Sequence, residues 1–204
     1  MPDGAPLIVG IGGSTSSASV TNLLLRAGLA ATAALGARTT AFTGEQLVSL
    51  PIFDANDQAA APAAGPMVAA VRAADGVIIA TPGYHGGMSG LVKNAIDHLE
   101  QLRDDERPYL AGRAVGVIVA AAGCQACGLT LVSERSAIHA LRGWPTPFGV
   151  AVNSAEQRPA ADGSFDQRIT GSLDVLATQL MDFAAWQAAA RPTSARRGQG
   201  GAAR

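Results

Sequence analysis

Lysine is almost missing from this chain: Lys93 stands alone against fourteen arginines. A phosphate-binding P-loop needs G-x-x-x-x-G-K-[ST]; no lysine follows the Gly12 to Ser19 loop, and Lys93 does not directly follow a glycine, so that class is excluded. Charge is scarce as well, at 15% of residues, with a net charge of -1 and a pI near 6.3. Nothing in that balance points to nucleic acid or an anionic membrane as a partner. Four arginines and no acid fall in Ala188 to Arg204; removing those four charges from -1 leaves -5 for the rest. Two cysteines do not make a disulfide framework, and a single C-x-x-C supplies only half of a zinc site. No G-x-S-x-G elbow occurs, which argues against an α/β-hydrolase. No run approaches the ~18 uninterrupted apolar residues of a membrane helix. Met1 to Gly10 has neither a basic stretch nor a long apolar core, so the expected location is cytoplasmic.

What is present is a chain of 204 residues, 48% apolar. That suffices for one domain with a sizeable core, expected over residues 1–189, with 190–204 expected to be a disordered basic tail. Leu7 to Ile11, Arg38 to Phe42, Gly76 to Thr81, Ala114 to Ala120 and Phe148 to Val152 read as short buried strands. Between them, helical spacing appears from Leu23 to Ala31, Pro62 to Ala74, Leu91 to Leu99 and Leu129 to Leu141. A last helix is expected from about Asp166 to Ala189. Gly44 to Gln58 reads as a long loop, and Gly123 to Gly128 as another. Five strand–helix units imply a parallel sheet covered on both faces. The expectation is therefore an α/β, flavodoxin-like three-layer sandwich with a five-stranded parallel sheet of order 2-1-3-4-5.

Such sheets bind ligands beyond the strand C-termini, where strand order reverses. The loops after strands one, three and four meet there, and they are the ones richest in Gly and Ser. The first, Gly12 to Ser19, offers the hydroxyls of Ser14, Thr15, Ser16, Ser17 and Ser19 just before a helix. A helix N-terminus presents unpaired amides to a phosphate, and hydroxyls add donors without bulk. One serine would be enough to cap the helix, so five exceed that need. Gly10-Ile11-Gly12 holds only the first pair of a G-x-G-x-x-G dinucleotide fingerprint, since position 15 is Thr. A mononucleotide with a terminal phosphate, such as FMN, fits better. The second loop, Pro82-Gly83-Tyr84-His85-Gly86, would lie under the flat part of the ligand, with Tyr84 offering an aromatic face. Ser89 reads as a helix cap.

These residues resemble the NADPH-dependent FMN reductases of flavodoxin-like fold. Ile8 to Ser19 looks like that family's G-S-x-R-x-x-S phosphate loop. Thr81 to Asp97 is similar to its P-x-Y-x-x-x-x-x-G-x-x-K-N-x-x-D run, and Leu50-Pro51-Ile52-Phe53-Asp54 to its LP-x-[YF]-[DN] loop. The resemblance spans about residues 6 to 185. It implies FMN held by Gly13, Ser14, Ser16, Ser17, Ser19, Thr21, Pro82, Gly83, Tyr84, His85, Gly86, Gly123 and Cys124. It also implies hydride from NADPH or NADH, delivery of reduced flavin to a partner monooxygenase or a small acceptor such as a quinone, and homodimers or homotetramers. Two features depart from the pattern. Ser16 stands where many members carry Arg, which leaves the loop without a fixed positive charge. Gly123-Cys124-Gln125-Ala126-Cys127-Gly128 replaces a glycine-rich third loop. The alternative is an FMN-binding electron carrier that does not oxidise NAD(P)H, although carriers are usually strongly acidic.

Hydride transfer between stacked rings needs positioning rather than a strong acid or base, so no catalytic residue is required. His85 is the one candidate, to be set against an ordinary solvated loop histidine. His98 and His139 lie inside helices and read as structural. Cys124 and Cys127 have the placement of a redox pair ahead of a helix, or are two incidental thiols. Lys93 and Asp97, four apart, read as an exposed pair. Trp144-Pro145-Thr146-Pro147 leads stiffly into the last strand and reads as core packing.

Overall fold

Leu7–Gly12 forms β1, buried along almost its whole length, as an apolar run covered on both faces must be. In the computed structural model, which describes residues 4–16, 19–56 and 61–190, β1 lies between β2 (Arg38–Thr43) and β3 (Gly76–Tyr84), parallel to both. β3 pairs in parallel with β5 (Ala114–Ala121), which completes the central four strands.

The far edge differs from the single strand expected at Phe148 to Val152. Two short segments, β6 (Trp144–Pro145) and β7 (Val150–Asn153), both pair in parallel with β5, the first at Ala114 and Val115 and the second from Ile118 to Ala121. The prolines explain the gap, because Pro145 and Pro147 have no N–H to give to a ladder. The order is β2-β1-β3-β5-β6, with β7 also on β5, so the expected fifth parallel strand is present in two pieces. A seventh strand, β4 (Gly87–Met88), folds back antiparallel on the end of β3.

Alternate strand residues feed two cores. Val9, Ile11, Val77, Ile79, Val115 and Val117 face one side. There they meet α3 (Ala61–Ala73), α4 (Gly90–Asp97) and α5 (Cys124–Ala140), through residues such as Val68, Val71, Val92 and Ile138. Ile8, Ile78, Ile118, Val150 and Val152 face the other. Their partners are Leu24, Leu25, Leu173, Leu176 and Leu180 of α1 (Val20–Ala34) and α6 (Gln167–Ala190). Each buried aliphatic side chain contributes about 1.5–3 kcal/mol, so the two cores hold the layers together.

Two expected loops contain helix. Gly44–Leu47 is the short α2, closed by Gln46 reaching back to Thr43. α5 begins at Cys124 rather than Leu129, so the C-x-x-C lies in its first turn, not in a loop. Trp144 is 56% exposed and packs at a tilt on Phe183, so it is not a core residue. The expected tail, residues 190–204, lies outside the described residues apart from Ala190.

Candidate functional site

The first loop is built around a residue that sequence reasoning passed over. Asn22, in the first turn of α1 and 2% exposed, turns its amide back into the loop. Its Nδ2 donates to the carbonyls of Ser14 (3.0 Å) and Ser16 (2.6 Å), and its Oδ1 accepts from the Ser14 amide (3.3 Å). Gly13 lies against that amide; a Cβ there would sit 1.7 Å from Asn22 Oδ1. Its N–H donates to Ala80 O at 2.8 Å, and its φ of 101° suits only glycine. Gly13 thus makes room for protein rather than for ligand. Ser19 caps α1 by accepting from the Asn22 amide at 3.1 Å. An asparagine inside the first turn of an otherwise apolar helix was the available signal.

The second loop is a hairpin. Tyr84 pairs with Gly87, and the two residues between them, His85 (φ 54°) and Gly86 (φ 83°), are both left-handed, as a tight primed turn requires. Thr81 Oγ1 closes its base by accepting from the Ser89 amide at 2.9 Å. The other side of the hairpin rests on α5, where Thr130 Oγ1 donates to Gly87 O.

The third loop is organised by Asn153 at the end of β7, 6% exposed. Its Oδ1 accepts from the amides of Gly123 (2.8 Å) and Ala155 (3.2 Å). This side chain holds the start of α5 to the end of the sheet.

Between these loops lies a cleft of about 460 Å³. Of the residues expected in the site, Ser14, Ser19, Thr21, Pro82, Gly83, Tyr84 and His85 line it. Ala122 and Ala126 of the third loop line it too, as do Val20, Ala120, Ala121 and Ser154, which were unforeseen, and the alanines give it a flat apolar wall. Gly13, Ser16, Gly86, Gly123 and Cys124 flank the cleft without lining it, and Ser17 lies outside the described residues. No Lys or Arg is among the lining residues. The later part of the Thr81 to Asp97 run holds the Leu50 to Asp54 loop: Asn94 donates to Pro51 O (2.9 Å) and accepts from the Phe53 amide (2.8 Å), while His98 Nε2, just beyond the run, meets Pro51 O at 3.0 Å. Lys93 and Asp97 form the expected exposed pair at 2.6 Å.

A hydroxyl-bearing loop at one helix N-terminus, an apolar slot between strand ends and a glycine-bearing hairpin at its mouth are the features of a flavodoxin-like mononucleotide-binding α/β protein. They suit the phosphate and the flat ring system of FMN, which need donors at one end and thin walls at the other. The chain belongs to the NADPH-dependent FMN reductase family, whose profile matches residues 6–157. It is similar to the FMN-dependent NADPH-azoreductase of Staphylococcus aureus, 33% identical over 93 residues, which is 46% of this chain and 46% of that protein. The chain thus matches less than half the length of that curated relative. Among solved structures it resembles the flavoenzyme NAD(P)H:(acceptor) oxidoreductase FerB of Paracoccus denitrificans, with a TM-score of 0.71, 19% identity and coverage of 88% and 99% of the two chains. It also resembles the apo form of an NADH:FMN oxidoreductase, with a TM-score of 0.64, 22% identity and coverage of 86% and 90%. These two likenesses establish the flavodoxin-like fold.

Proposed function

We propose that this chain is an NAD(P)H-dependent FMN reductase. The observation that carries the reading is the coincidence of the family match over residues 6–157 with a cleft at the point where strand order reverses. The loop of Ser14, Ser19 and Thr21 would hold the phosphate through hydroxyls and amides, with no cation, so FMN would be held loosely. The alanine wall and the Pro82-Gly83-Tyr84 segment would sandwich the ring system. The bound flavin would supply the hydride acceptor; the protein would align the nicotinamide over it and exclude water. His85, which lines the cleft, would touch the incoming nicotinamide or the final acceptor. Reduced flavin would pass to a partner monooxygenase or to a small acceptor, a quinone or an azo compound of the kind the Staphylococcus relative is named for.

The test is NADPH oxidation by the purified chain, followed with and without added FMN. Oxidation that depends on FMN supports the reading. A chain that binds FMN and leaves NADPH untouched would instead be an electron carrier.

A further inference from the structure

Cys124 and Cys127 lie three residues apart in the first turn of α5, and both are free thiols. Their surroundings are opposite. Cys124 is exposed and is the first residue of the helix. The buried amide of Asn153 approaches its sulfur, with Nδ2 3.8 Å from Sγ. Cys127 is 4% exposed and donates to the carbonyls of Val152 (3.3 Å) and Ala121 (3.6 Å). Burial pushes its thiol pKa up, so it keeps its proton at neutral pH. One sulfur is thus exposed to attack and the other is buried, three residues further along the same helical turn.

We propose that Cys124 and Cys127 form a reversible dithiol–disulfide pair that exchanges with low-molecular-weight disulfides. The Cys124 thiolate attacks one sulfur of the disulfide, forming a mixed disulfide and releasing one thiolate. Cys127 then attacks Cys124 Sγ, gives up its proton, and expels the second thiol. Two protein thiols are oxidised and one small disulfide is reduced to two thiols. Residues three apart on a helix have Cβ atoms about 5–6 Å apart, whereas a disulfide needs about 3.5–4.5 Å, so the first turn must tighten by roughly 1 Å. Ala126, between the two cysteines, lines the cleft, so that tightening occurs in the cleft wall itself.

The reduced full chain, incubated with oxidised glutathione and read by mass spectrometry with peptide mapping, tests this. The wild type is expected to lose two hydrogens without retaining glutathione. Cys127→Ser is expected to accumulate one glutathione on Cys124, and Cys124→Ser to take up none. A wild type that stops at the glutathione adduct, or does not react while folded, overturns the proposal. Should Cys127→Ser fail to fold, iodoacetamide labelling of the native wild type decides: Cys124 is expected to react at least about tenfold faster than Cys127, and equal rates refute the assigned roles.

Discussion

Asn22 makes three hydrogen bonds with its side chain and exposes almost none of it. Asn22→Ala would strand the half-buried Ser14 amide and the carbonyls of Ser14 and Ser16, at about 1–3 kcal/mol for each group that finds no water. The loop it braces is the one offered to phosphate. The expected outcome is a lower Tm together with FMN affinity weakened tenfold or more, read by fluorescence titration. Unchanged affinity would mean the loop holds its shape without Asn22. Glu134, on the buried face of α5, has no exposed surface and no partner for either carboxylate oxygen among the described residues. Burial raises its pKa from 4.5 to about 7. The native state therefore keeps this proton after the unfolded chain has lost it. The stability this confers is complete below pH 4.5 and is lost as pH rises through about 7, a change of about 3 kcal/mol. Glu134→Gln is expected to be more stable than wild type at pH 8 and to lose that advantage at pH 4.5, as urea denaturation at the two pH values would show.

Among the elements, the β3–β4 hairpin and the 50–53 segment carry the clearest consequences. His85 is left-handed, which asparagine tolerates and a β-branched residue does not. His85→Asn should leave Tm unchanged, and His85→Val should lower stability by about 1–2 kcal/mol. With the turn intact in the Asn variant, a fall in its NADPH oxidation rate would report the imidazole alone. The 50–53 segment is held by Asn94 of α4, through two hydrogen bonds, and by His98. Asn94→Ala removes both bonds and should cost about 2 kcal/mol, a fall in Tm of roughly 4–8 °C. Hydrogen exchange at the Phe53 amide should accelerate in parallel. Slow exchange in the variant would show that the ring contact between Phe53 and His98 suffices.

At the scale of the whole molecule, charge is sparse and several large apolar side chains stand out in solvent. Ile52 is 82% exposed, Val132 68% and Trp186 59%. Phe183 bridges Trp144 and Trp186 into an aromatic cluster beside the β6 edge. Exposed apolar surface of this kind favours self-association. Sedimentation equilibrium at micromolar concentration is expected to return a dimer or tetramer, little affected by salt because few charges are available to screen. A monomer would contradict this.

The strand–helix alternation, the strand order and the position of the cleft were all determined by the sequence. The alternation follows from local apolar periodicity, the order from right-handed parallel crossovers and the flavodoxin pattern of five strand–helix units, and the cleft from where that order reverses. The loops offered as the site were legible for the same reason, since they are glycine- and serine-rich breaks between strong periodic segments. The tertiary structure alone decided what Gly13, Asn22, Asn94 and Asn153 do. Each acts on backbone or side chain brought near by folding, and a polar residue's partners leave no trace in spacing along the chain. It also decided that the C-x-x-C opens a helix. The turn residues of 123–128 argue locally for a loop, whereas the Gly123–Asn153 bond and the hydrogen bonds of Cys127 to β5 and β7 anchor that segment as helix.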